Sequence, residues 1–200
     1  MNPEVTHSRH YADSIKSAYP ALCAASHVRI SAVMHGQANP SSSRVQAMSE
    51  PNVRYFEDLV IGQEMWGIEE VAIKDDMIDY ALRYDPWPFH TDEAAADVSP
   101  FGGLTASSGY TISLWYSSGN RGIWNRSDGP TAMIGGLDMR VQYLNPLRPD
   151  DRVRARLVID SKRLSSKPGR GIVEGTMDLV NQDGDIIVTA QMVWLVSTRP

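Results

Sequence analysis

The sequence predicts an α+β fold: a single domain in which a curved antiparallel sheet wraps a long central helix. Three observations carry that expectation. Between Tyr110 and Tyr116, Tyr110, Ile112, Leu114, Trp115 and Tyr116 fall on nearly every face of a helix, with only Ser and Thr between them, so the helix needs cover all round. Four strand-like segments then follow one another with no helical pattern between them, which places the sheet after the helix in the chain. The last three are joined by Lys167-Pro168-Gly169-Arg170 and Asn181-Gln182-Asp183-Gly184, turn sequences that return a chain antiparallel to itself. There is no βαβ alternation and no internal repeat.

Taken in order, residues 1–51 are rich in Ser, Ala, His and Pro without a sustained apolar period, and read as a flexible extension, or as a stretch upstream of a start at Met48. Residues 52–200 are the expected domain. Trp66, Ile68, Val71 and Ile73 mark a strand over Glu64 to Ile73, after a turn at Gly62. Asp75 or Asp76 caps a helix running through Met77, Ile78, Ala81 and Leu82, and Pro86 ends it by disfavouring helical geometry at Asp85. Pro86-Trp87-Pro88-Phe89 is stiff, because each proline fixes its own φ and restricts the residue before it. A short helix over Asp92 to Asp97 leads to Gly102-Gly103. Ser107 or Ser108 caps the central helix, and Gly119 to Pro130 reads as a Gly- and Asn-rich loop. The strands are expected at Ile134 to Leu144, Arg152 to Leu164, Gly171 to Val180 and Ile186 to Val196.

Composition narrows the partners. The 200 residues carry a formal charge of −5, which excludes a generally basic nucleic-acid binder. No run approaches the ~20 apolar residues of a membrane-spanning helix. The lone Cys23 forms no intramolecular disulfide and no structural zinc site, which fits a cytoplasmic protein held together by packing. No metal site is expected; Asp92 reads as the cap of the helix that follows it.

The segment Tyr84-Asp85-Pro86-Trp87-Pro88-Phe89-His90-Thr91-Asp92 carries the chemistry. A carboxylate and an imidazole five residues apart meet if the proline turn bends back, and together they hold a water and move a proton near neutral pH. Downstream, Phe101-Gly102-Gly103-Leu104-Thr105-Ala106-Ser107-Ser108-Gly109 brings a glycine turn to a helix start. There the backbone N–H of Ser108 or Gly109 can receive an oxygen gaining negative charge. Base, acid and oxyanion donor suit proton transfer beside a thioester carbonyl, with gain or loss of water at the neighbouring carbon.

Asp-x-x-Pro-Phe-His-x-Asp, the Pro-Phe-Gly-Gly-Leu-x-Ala-Ser after it, and Asn145-Pro146-Leu147-Arg148-Pro149-Asp150-Asp151 before a strand resemble the MaoC-like dehydratase family, which includes the (R)-specific enoyl-CoA hydratases. The resemblance covers about Arg54 to Val196. It implies a hotdog fold, a homodimer with the acyl chain near the subunit interface, an acyl-CoA thioester as substrate with no further cofactor, and Asp85 and His90 as the catalytic pair. Ser108 stands where the family usually has glycine, which a one-residue insertion would restore at Gly109. Trp87 stands where better-defined hydratases carry Asn.

Trp87, Phe89, Trp115 and Trp124 are candidates for the acyl pocket. Arg152, Arg154 and Arg156 share one face of a strand, either as a solvated outer face or, with Lys162, Arg163, Lys167 and Arg170, as contacts for coenzyme A phosphates. Two rivals remain: a hotdog thioesterase, and a non-catalytic acyl-thioester-binding subunit.

Overall fold

The computed structural model describes residues 52–200, so the expectation for residues 1–51 lies outside the described residues. A 3-10 turn at Phe56–Asp58 precedes strand β1 (Glu64–Val71). Helices α1 (Lys74–Tyr84), α2 (Pro88–Thr91) and α3 (Glu93–Asp97) lead to the central helix α4 (Ser108–Gly119), and strands β2 (Met133–Tyr143), β3 (Arg152–Leu164), β4 (Arg170–Asn181) and β5 (Ile186–Ser197) complete the chain. The strands form one antiparallel sheet in the order β1-β3-β4-β5-β2. β3, β4 and β5 are the expected meander, and β2 returns to the far edge beside β5. Among the described residues no helix is long and apolar enough to cross a membrane.

Strand alternation supplies the core. On β3, Val153, Ala155, Leu157 and Ile159 point inward and are fully buried, while Arg152, Arg154 and Arg156 point outward. Val173, Met177 and Leu179 of β4 and Val188, Ala190, Met192 and Trp194 of β5 extend the same layer, and Trp115 of α4 is wholly buried against it. Register shifts at Ile159/Ser161, Gly136/Asp138 and Trp66/Glu69 bend the sheet around the helix.

Local details depart from the sequence expectation in four places. On β1 the buried residues are Met65 and Gly67, while Trp66 and Ile68 lie on the outer face, because an apolar run cannot say which alternate set meets the core. Helix α1 starts one residue before Asp75, with Ile73 at its cap and no side-chain cap bond; Asp75 and Asp76 sit in the first turn, where the helix dipole favours them. Leu82 is 60% exposed, and the buried face of α1 is Met77 and Ala81. The segment after Gly119 is not a loop at first: it continues as a π-helical turn over Asn120–Trp124, packed tightly enough on β1 that the backbone of Gly67 and Ile68 occupies the place of a side chain at Gly122. Helix α4 is also not covered all round. Ser108, Ser113, Tyr116 and Asn120 form an exposed stripe, since the five-stranded sheet covers only one side of it.

Candidate active site

Helix α1 ends at Asp85, whose backbone (φ −156°, ψ 64°) has left the helix while its N–H still donates to Ala81 O at 2.8 Å. The two prolines then do different work. Pro86 turns the chain out of α1, and Pro88 occupies the first turn of α2, where a missing N–H costs nothing. One turn later the chain has doubled back, with Trp87 O accepting from His90 N at 2.8 Å. Asp85 Oδ2 and His90 Nε2 therefore stand 3.6 Å apart. Asp92 caps α3 by accepting from Ala95 N at 2.7 Å, as its position suggested.

The protonation pattern of His90 follows from its other nitrogen. Nδ1 lies 2.7 Å from Thr105 O, and a carbonyl only accepts, so Nδ1 carries a hydrogen, and in the neutral ring it is Nε2 that presents the lone pair. The ring is buried and lies edge-on to Phe89 at 4.5 Å between centroids. At 3.6 Å the facing Asp85 oxygen is beyond direct hydrogen bonding. A carboxylate oxygen and an imidazole lone pair at this separation have the spacing to share the two hydrogens of one water.

The start of α4 overlooks the same space. Ser107 Oγ accepts from Tyr110 N at 3.3 Å and Ser107 O from Thr111 N at 3.0 Å, so the first two N–H groups of the helix, those of Ser108 and Gly109, are left without an intrahelical partner. Ser108 and Thr111 line the cavity; Gly109 is turned toward Tyr80. Burial holds the neighbouring Tyr110 phenol above its ordinary pKa, so it stays neutral.

The cavity measures about 470 Å³. Its polar end holds Asp85, His90, Thr105 and Ser108. Its aromatic wall holds Trp87 and Phe89, stacked 6.0 Å apart and 5° from parallel, with Phe101 tilted against Phe89 at 5.1 Å. Tyr143 to Leu147 also line the cavity, a contribution that sequence reasoning missed. The Asn145-Pro146-Leu147 motif was its available signal, and Ala106 N donating to Leu147 O at 2.9 Å is the bond that brings it alongside.

Other candidates are placed elsewhere. Trp115 does not line the cavity: it is fully buried on the sheet side of α4, because a helix apolar on many faces does not reveal which one meets the site. Trp124 packs on Trp194 in the core, 4.9 Å between centroids. Arg152 and Arg154, the candidates for the coenzyme A phosphates, do not line the cavity either. Both lie on the outer face of β3, where Arg154 donates to Gly67 O at 2.9 and 3.0 Å and covers the Trp66 ring. Arg156 pairs with Asp178, and Lys162 donates to the carbonyls of Phe56, Glu57 and Leu59. This cationic strand braces the outer sheet.

A helix wrapped by an antiparallel sheet, with an imidazole, a carboxylate and the helix start lining one cavity, defines a hotdog domain with a candidate acid–base site. The particular family follows from comparison: residues 58–179 match the MaoC like domain, more than half of the chain, and the protein belongs to that family. A MaoC-like dehydratase from Rhodospirillum rubrum superposes with a TM-score of 0.67 at 28% identity, over 73% of this chain and 98% of that one. An (R)-hydratase from Pseudomonas aeruginosa shares the fold at 17% identity and TM-score 0.58, over 74% and 89%. So does a Mycobacterium tuberculosis protein with a double hotdog fold, at 17% identity and TM-score 0.54, over 74% of this chain and 45% of that one. Nodulation protein N of Rhizobium leguminosarum bv. viciae is 32% identical over 102 residues, a match spanning 50% of this chain and 63% of that relative's length.

Proposed function

We propose that this member of the MaoC-like hydratase and dehydratase family adds water to, or removes it from, an acyl-CoA thioester, interconverting an enoyl and a 3-hydroxyacyl group. The observation that carries the reading is the pair of converging acceptors, His90 Nε2 and Asp85 Oδ2, at 3.6 Å, with Nδ1 committed to Thr105 O. In hydration the pair holds a water and takes its proton as the oxygen bonds to the β-carbon. The electron pair of the double bond moves toward the thioester carbonyl, whose oxygen gains charge against the N–H of Ser108 or Gly109. Return of the proton to the α-carbon completes the addition. Dehydration is the reverse. No net electrons are transferred, so the chemistry requires no redox cofactor.

Trp87, Phe89 and Phe101 supply an apolar wall for the acyl group next to the polar end. Arg152 and Arg154 stand on the outer face of β3, so as contacts for the coenzyme's phosphates they would act outside the cavity. A second copy of the chain is the proposed partner, since β2 exposes Ile134, Leu137 and Met139, and a cytoplasmic setting goes with such a substrate.

The test is hydration of a panel of enoyl-CoA substrates followed by loss of enoyl absorbance. Asp85→Asn and His90→Gln are each expected to lower kcat about 10²- to 10⁴-fold, the usual range for an acid–base group. Full activity in both variants would overturn the assignment. Release of free thiol in the same assay, with no hydration, would mark a thioesterase instead.

A further inference from the structure

Arg148 lies outside the substrate cavity, on an open groove beside Glu93, Asp97 and Gly102 to Leu104. Its guanidinium is spent on backbone carbonyls: Nη1 donates to Gly103 O at 2.7 Å and Leu104 O at 3.1 Å, and Nη2 donates to Phe101 O. The segment from Phe101 to Leu104 is neither helix nor strand. Gly102 (φ +59°) and Gly103 (φ +147°) supply the unusual conformations, and a Cβ on Gly103 would press on Arg148 Nη1 at 3.3 Å. The glycine pair and the arginine thus act as one device.

Immediately after the clamped carbonyls comes Thr105, whose own carbonyl accepts the His90 Nδ1 hydrogen and whose N–H donates to Phe89 O at 3.2 Å. The clamp has a firm base. Arg148 N donates to Asp151 Oδ2 at 2.8 Å; Asp151 is buried, accepts from Gln182 Nε2 at 3.0 Å, and takes Ala72 N on its carbonyl at 2.9 Å. One side of the loop is therefore tied to the start of β3, and the other touches the imidazole.

We propose that Arg148 is a positioning residue for the Asp85–His90 pair. Through the carbonyls of Phe101, Gly103 and Leu104 it holds Thr105 O against His90 Nδ1, which keeps Nε2 free to accept a proton. The catalytic consequence rests on the hydratase reading above, while the effect on the imidazole is independent of it.

The experiment uses the full chain with ¹⁵N-labelled histidine. The ring nitrogens of His90, one of five histidines, are assigned by their loss in His90→Gln, and spectra at a pH where the ring is neutral are compared for wild type, Arg148→Gln and Arg148→Lys, alongside kcat and KM. Lysine keeps the charge but cannot span three carbonyls. In both variants the His90 ring is expected to lose its single Nδ1–H signature. The kcat is expected to fall roughly 10- to 100-fold with KM within about threefold, as for a misplaced catalytic group. A folded variant with an unchanged His90 spectrum overturns the proposal at any rate. If Arg148→Gln does not fold, Arg148→Lys carries the same readouts. A wild type inactive on every enoyl thioester would remove the hydratase reading, and the ring spectra would still decide on the clamp.

Discussion

At Gly109 the missing side chain matters as much as the amide. A Cβ there would stand 2.5 Å from Tyr80 Oη and 3.0 Å from Cε1, and Tyr80 is itself wedged between Tyr84 and Tyr110, at 4.9 and 5.9 Å between ring centroids. Glycine is thus demanded by packing from α1, whatever the amide does. Gly109→Ala is expected to cost about 1–3 kcal/mol, the range for overpacking. In a Tyr80→Ala background the same change becomes neutral or stabilising, because alanine is the better helix former. Denaturant unfolding of the four variants measures the coupling, and additive effects would sink this account. Residue-scale geometry was legible for Asp85 and His90, whose separation of five is bridged by a turn that Pro86 and Pro88 announce. It was not legible for Thr105, since any backbone carbonyl looks alike in sequence and only the fold chooses which one meets Nδ1.

Among the elements, α4 and its π-helical continuation show how far composition can mislead. Gly119 to Pro130 reads as a loop because Gly and Asn are poor helix formers. Yet the chain stays helical through Trp124, where Ile123 and Trp124 are buried and outweigh that local preference. Gly122 lets this turn approach β1, with Gly67 and Ile68 backbone atoms in the way of any side chain. Backbone cannot rotate aside. Gly122→Ala is therefore expected to destabilise by about 2 kcal/mol or more, read from urea unfolding, despite alanine's better helix propensity. A neutral result would show that α4 and β1 can separate at no cost. The strands β3, β4 and β5 were readable to within one residue at either end, because long branched segments between short turn sequences have few alternatives.

For the whole molecule, the edge strand β2 presents Ile134, Leu137 and Met139 at 41% to 55% exposure, beside the open stripe of α4, where Tyr116 Oη donates to Met139 Sδ at 3.4 Å. Apolar side chains on an unpaired edge favour another chain over water. Light scattering on the purified protein is expected to give twice the chain mass, and Leu137→Asp with Met139→Lys is expected to return it to one. A monomeric wild type at micromolar concentration would refute the second-copy partner. The same measurement on Arg154→Ala, on the outer sheet away from both β2 and the cavity, is expected to remain dimeric.

By itself the sequence determined the α+β class, the meander, the central helix starting at Ser107 or Ser108 and the proline-bent approach of Asp85 and His90. Each of these rests on periodicity or on residues a few positions apart, where local geometry leaves little choice. Only the tertiary structure decided which face of each element looks inward. It sent Trp115 to the core and Arg152 and Arg154 to the outer sheet, brought Tyr143 to Leu147 to the cavity that Trp87 lines, and joined Arg148 to the loop beside His90. Those outcomes depend on contacts between residues tens of positions apart, and on burial that favours one face over another only when the whole sheet has closed around the helix.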